Sequence, residues 1–204
     1  LATKVGVLAL QGAFGLHIEA VERCGVEGVE IRQPSELDDV DALIIPGGES
    51  TTMSKLMVTF GLVEPISKRM ADNMAVFGTC AGMIMLATEL VDARADQVCL
   101  NAIDMSVKRN AYGRQLASFE AELEFNPNSG LVAGSELSQD NEPFIGVFIR
   151  APGVENLGPD VEVLATIGAK PVLCRQGSVL VASFHPELTA DDRIHRLFLR
   201  SLNS

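Results

Sequence analysis

Three short stretches carry side chains whose types and spacing suit acyl transfer. The first is "FGTCAGM" (77–83), which sets Cys80 between the apolar runs "MAVFG" and "MIMLATEL". A cysteine where a strand turns into a helix sits against the partial positive charge of the helix N-terminus, which favours a thiolate. Gly78, Ala81 and Gly82 are small enough for the tight turn and for strand and helix to approach closely, as in the G-x-S-x-G elbow of hydrolases. Alone, the stretch also fits a buried cysteine that ends a strand.

A cysteine nucleophile needs a base, and the base needs an orienting group. The chain has three histidines. His17 falls early in the first expected helix and His195 on a flank of the last, and both read as ordinary surface residues. His185 differs. It closes the run "SVLVASF" and begins "HPEL". Pro186 biases it towards extended geometry, in which residues two apart point the same way. Glu187 can then accept from one ring nitrogen while the other faces a thiol.

The third stretch, "PGGES" (46–50), again ends an apolar run and precedes a helical pattern. It is no Walker A loop, and Glu49 would repel a phosphate. The N–H groups of Gly48 and Ala81 can instead converge on an oxyanion, although Gly47 and Gly48 also fit an ordinary tight turn. Two adjacent glycines give that peptide unusual freedom, so we expect the loop to rearrange when a partner docks. Arg109 in "VKRN" and Arg150 in "FIRAP" can each hold a substrate carboxylate bidentately, or simply be solvated.

These side chains need a scaffold. "KVGVLAL", "VEGVEIR", "DALIIPGG" and "MAVFGT" read as strands alternating with helices, the second helix capped by Ser50 or Thr51 and closed by Gly61, the third over roughly 62–73, and the fourth spanning "AGMIMLATEL". That alternation implies parallel strands with right-handed crossovers, and ligands then collect at the strands' carboxyl ends. The second half carries longer strand-like runs, a hairpin turning at Arg175, Gln176 and Gly177, a loop-like stretch at 126–143, and a final amphipathic helix with Ile194, Leu197, Phe198 and Leu202 inward. The expectation is an α/β fold in one domain over 1–204: three layers, a mostly parallel central sheet flanked by helices, and antiparallel strands with a hairpin in the second half.

Composition bounds the function. The 204 residues hold 27 acidic against 16 basic side chains, a net charge of −11, with no basic tract, so nucleic acid and anionic membrane are poor partners. No run approaches the roughly 20 apolar residues of a membrane span. The short apolar run near the start reads as a strand, not an export signal, and the chain opens on Leu1. Cys24, Cys99 and Cys174 lie far from one another and from Cys80. Cys24 falls on the apolar face of the first helix, and Cys99 and Cys174 within strand-like runs, all as small core residues in a reducing cytoplasm. No histidine has metal-ligand spacing, and the chemistry calls for neither metal nor cofactor.

Taken together and in this order, "GTCAG", "HPE" and the "PGG" loop resemble the class I glutamine amidotransferases. More narrowly, "LALQGAF", "PGGESTTM", "FGTCAGMI", "RNAYGRQLASFE", "FIRAP" and "SFHPEL" resemble the glutaminase subunits of pyridoxal 5′-phosphate synthases, from residue 8 to residue 188. The resemblance implies hydrolysis of L-glutamine to glutamate and ammonia, with Cys80 as nucleophile, His185 as base and acid, and Glu187 as its orienter. It places Gly48, Glu49, Ser50, Arg109, Ile149 and Arg150 around the glutamine. It implies a synthase subunit as partner in a hetero-oligomeric complex, with pyridoxal phosphate as the complex's product and not this chain's cofactor. A glutaminase serving histidine or guanine nucleotide synthesis, a non-catalytic scaffold subunit, and a cysteine hydrolase of peptides or esters are the alternatives.

Overall fold

The run "KVGVL" is apolar on both sides of the pleat, and a strand of that kind is stable only with both faces covered. In the computed structural model, which describes residues 3–92, 96–111, 118–139 and 142–202, it forms β1 (Lys4–Leu8) near one edge of an eight-stranded sheet. The chain then alternates: α1 (Phe14–Arg23), β2 (Glu27–Ile31), a 3-10 turn, β3 (Ala42–Ile45), α2 (Ser50–Thr59), α3 (Val63–Ala71), β4 (Ala75–Thr79) and α4 (Ala81–Leu86). Strands β2, β1, β3 and β4 lie side by side and parallel.

From here the chain leaves the main sheet. β5 (Ala87–Leu90), β6 (Ile103–Lys108), β7 (Ser118–Glu122), β8 (Glu124–Phe125), α5 (Glu136–Gln139), β9 (Ile145–Ile149) and β10 (Gly153–Leu157) follow in order. Of these only β8 joins the main sheet. β10, β6 and β5 form a second sheet, and β7 pairs with β9. β11 (Glu162–Ile167), β12 (Lys170–Gln176) and β13 (Val179–Ala182) return, and α6 (Arg193–Ser201) closes the fold. β13 lies parallel to β4, pairing Ala182 with Thr79, while β12 and β11 continue antiparallel.

The core splits across the sheet. One layer joins α2 to α4 through Met53, Met57, Met83 and Leu86 to Leu43, Ile45 and Val76. The other packs α1 and α6 through Val21, Ile194, Leu197 and Phe198 against Ala42, Ile44 and Phe77. Each fully buried aliphatic side chain contributes about 1.5–3 kcal/mol. The expected three-layer α/β arrangement with a mostly parallel sheet is the observed one.

Several local expectations change. The fourth helix stops at Leu86, and "ATEL" is strand β5, paired with β6. Glu49, not Ser50 or Thr51, caps α2: its carboxylate accepts from the Thr51 and Thr52 N–H groups at 3.0 and 2.7 Å. The hairpin turns at Gly177 and Ser178, with Gln176 paired to Val179. All four cysteines are free; Cys174 is buried in β12, Cys24 follows the end of α1, and Cys99 lies in a connection rather than a strand. His17 and His195 are fully buried, not superficial. Residues 112–117, within the stretch "RNAYGRQLASFE", lie outside the described residues, as does Leu1.

Candidate active site

The parallel pairing of β4 with β13 brings together residues far apart in sequence. β4 ends at Thr79, and Cys80 begins the turn into α4 with φ 49° and ψ −101°. This left-handed backbone is uncommon for a residue with a Cβ and costs on the order of 1–3 kcal/mol. The turn closes because the helix lies on bare backbone. A Cβ at Gly82 would overlap the Ile45 carbonyl oxygen, and one at Gly78 would lie 2.6 Å from the Gly82 carbonyl carbon. The Cys80 N–H donates to the Ala182 carbonyl at 2.8 Å, tying the turn to β13. Cys80 Sγ lies 3.8 Å from the Ile149 carbonyl.

β13 runs on into Ser183, Phe184 and His185. The His185 N–H donates to the Val147 carbonyl at 2.8 Å, and Pro186–Leu188 form a 3-10 turn. The 3-10 turn, rather than an extended segment, therefore brings Glu187 back to the ring. His185 Nδ1 sits 2.7 Å from Glu187 Oε1, which leaves Nε2 for the thiol. Glu187 is buried, and burial pushes its carboxyl up, but His17 and His185 against it hold it below the usual carboxylate range. Burial pulls the His185 imidazole down, yet its hydrogen bonds to Cys80 and Glu187 outweigh this and raise it to about 10. It therefore carries its proton at neutral pH.

The third expected stretch closes over the pair. A Cβ at Gly47 would overlap His185 Cε1 and lie 3.4 Å from Cys80 Cβ, so only glycine fits there. Gly48 has φ 152°, and a side chain on it would strike Gln11. Gln11 brackets the loop: its Nε2 donates to the Glu49 carbonyl at 3.0 Å, and its Oε1 accepts from the Glu49 N–H at 3.3 Å. Burial disfavours the Glu49 carboxylate, but the Thr51 and Thr52 donors hold it down at about 2.

A cavity of about 670 Å³ opens beside these groups. Cys80 and His185 line it, facing Gly48, Glu49 and Ser50 on one side and Arg109, Ile149 and Arg150 on the other. Ala81 begins α4 next to Cys80, and Glu187 stands behind His185, out of the cavity. Three non-glycine residues with positive φ share the wall: Cys80, Asn110 and Arg150. Arg109 is held by Asp92, whose Oδ2 is 3.3 Å from Nε, and reaches the Thr51 hydroxyl at 3.4 Å. Sequence reasoning missed Ile84, Asn110 and Ser118 in the wall and Gln11 behind the loop. Gln11 carried a signal of its own, as a polar residue at the carboxyl end of a buried strand, while Ile84, Asn110 and Ser118 lie inside the motifs that carry the family resemblance. Among the described residues, no group of three or more His, Cys, Asp or Glu side chains is placed to hold a metal ion.

Residues 7–204 match the SNO glutamine amidotransferase family. The chain belongs to that family. Within it, the chain is 51% identical over 205 residues to the pyridoxal 5′-phosphate synthase subunit PdxT of Mycolicibacterium vanbaalenii, covering 99% of both chains. It is 53% identical over 196 residues to the protein of the same name in Pelotomaculum thermopropionicum, covering 96% of this chain and 93% of the relative. A solved glutamine amidotransferase superposes with a TM-score of 0.86 at 48% identity, over 98% of this chain and 99% of that one. The PurLQS structure from Thermotoga maritima, at 16% identity and TM-score 0.72 over 100% and 99% of the two chains, shares the fold.

Proposed function

We propose that this chain is the glutaminase subunit of a cytoplasmic pyridoxal 5′-phosphate synthase, hydrolysing L-glutamine and passing ammonia to a synthase subunit. The observation that carries the chemistry is Cys80 on its strained elbow, with the His185–Glu187 pair beside it in the wall of a cavity large enough for one amino acid. Near-full-length identity of about half to proteins named as synthase subunits favours that partner over histidine or guanine nucleotide enzymes.

Cys80 sulfur attacks the side-chain carbonyl carbon of glutamine, and the Gly48 and Ala81 N–H groups stabilise the oxyanion. The protonated His185 gives its proton to the departing nitrogen, the C–N bond breaks, and ammonia leaves a γ-glutamyl thioester. Neutral His185 then takes a proton from water, whose oxygen attacks the thioester, and the C–S bond breaks to release glutamate. Glu187 holds the imidazole tautomer throughout. Arg109 and Arg150 take the substrate carboxylate, and Glu49, Ser50 and Ile149 complete the wall.

The test is glutamate release from L-glutamine, with and without the matching synthase subunit, by wild type and Cys80→Ala. Release that needs both the partner and Cys80 supports the reading, including a Gly47–Gly48 loop that rearranges on docking. Equal rates with and without partner count against the gating. No release from any mixture, despite demonstrated docking, would make the chain a scaffold.

A further inference from the structure

Directly behind the proposed triad, two more imidazoles fill the core, and no step above uses them. His17 enters from α1 and His195 from α6, both without exposed surface. His17 Nδ1 lies 2.9 Å from His195 Nε2. Its Nε2 lies 3.1 Å from the hydroxyl of Thr79, the residue before Cys80, and 3.3 Å from Glu187 Oε2. His185 occupies the other oxygen, Oε1, so His17 meets the one left over. The approach to Oε2 is too bent to count as a hydrogen bond, so the ring nitrogen's hydrogen bond goes to the Thr79 hydroxyl, and the carboxylate oxygen lies beside it as an electrostatic neighbour.

The tautomers follow from who can donate. An ionised carboxylate only accepts. A bare lone pair on His17 Nε2 would set two acceptors against each other in the dry interior, so Nε2 carries the proton. His17 Nδ1 must then accept from His195 Nε2–H. That leaves a lone pair on His195 Nδ1, which meets no hydrogen-bond partner among the described residues. A buried unpaired acceptor is tolerated better than a buried unpaired N–H, so both ends of the chain of rings agree. Burial lowers both imidazoles, His195 to about 3, which keeps the pair neutral.

We propose that His17 is a positioning residue for glutamine hydrolysis: with its tautomer fixed by His195, its Nε2–H holds the outer oxygen of Glu187 and so aims His185 at Cys80. The role rests on the triad assigned above. The same N–H also touches Thr79, so one ring references both the Glu187 carboxylate and the strand that presents Cys80. His17 touches neither substrate nor reacting atoms.

The experiment is steady-state glutamate release by the complex with the synthase subunit, for wild type, His17→Gln and His17→Asn, with melting temperatures measured alongside. The glutamine amide nitrogen stands where Nε2 stood; the asparagine nitrogen stands where Nδ1 stood. His17→Asn should lower kcat about 10- to 100-fold with KM for glutamine changed less than about 2-fold, whereas His17→Gln should stay within about 3-fold of wild type. Equal kcat in the two variants, or a loss that falls mainly on KM, overturns the proposal. If His17→Asn does not fold, the comparison moves to His195. His195→Leu, which frees the His17 tautomer, should be slower than His195→Gln, which can still donate, and equal rates there overturn it too. Wild type that releases no Cys80-dependent glutamate would sink the triad reading itself, before any histidine variant is read.

Discussion

At Cys80 chemistry and stability pull in opposite directions. The side chain reaches the cavity only because its backbone sits at φ 49° and ψ −101°, where a glycine is at ease and a Cβ is not. Removing the sulfur while keeping the Cβ retains the strain; removing the Cβ as well releases it. Cys80→Gly should therefore melt several degrees above Cys80→Ala, the difference amounting to about 1 kcal/mol or more. Both should release no glutamate. Calorimetry of the two variants checks this, and a Cys80→Gly protein no more stable than Cys80→Ala would show that the turn is unstrained. That Cys80, His185 and Glu187 lie together was readable from residue types, because Cys80 and His185 each follow an apolar strand-like run and Glu187 comes two residues on. His17 and His195 were not. Helical periodicity marks buried positions through apolar residues, and a polar ring on a flank looks solvated until its partner, 178 positions away, is seen.

Among elements, the glycines sort into two functions. Gly82 lets α4 rest on β3, since a Cβ there would overlap the Ile45 backbone oxygen. Backbone cannot swing aside, so Gly82→Ala should cost about 1–3 kcal/mol of stability. Gly47 instead faces the His185 ring, as a Cβ there would overlap Cε1. Gly47→Ala should lower kcat about 100-fold by displacing the imidazole, with any loss of midpoint coming from the His185 contacts it breaks. Urea titrations beside glutaminase assays separate the two, and a reversed pattern would overturn the assignment. The parallel strands were legible because continuous apolar runs admit burial on both faces. The end of α4 was not, because "MIMLATEL" is apolar enough for either state. Only pairing with β6, which begins 13 residues after β5 ends, makes "ATEL" a strand.

For the molecule as a whole, buried histidines bound the pH range from both sides. His17 and His195 have lowered folded values against 6.5 when unfolded, so below about pH 6.5 the unfolded chain binds protons that the native state refuses. Stability then falls with pH, for His195 down to about 3. His185 works the other way. Its raised value of about 10 contributes stability that is complete below pH 6.5 and lost as pH climbs towards 10. Denaturation midpoints from pH 4 to 10 should fall at both ends, less steeply on the acid side in a His17→Gln, His195→Leu double variant and on the alkaline side in His185→Gln. Unchanged slopes in these variants would contradict the sign of these shifts. The connection between β4 and β13 has a further consequence. These neighbours in the sheet are separated in the chain by α4 and then by everything from β5 to β12, and that later excursion supplies Arg109, Ile149 and Arg150 to the cavity. The proposed bond-making residues, Cys80, His185 and Glu187, thus flank this excursion in the gene, which carries one wall of the cavity while Gly48, Glu49 and Ser50 carry the facing one. Recombination that trades only this excursion should therefore reshape one wall of the cavity and leave Cys80, His185 and Glu187 in place.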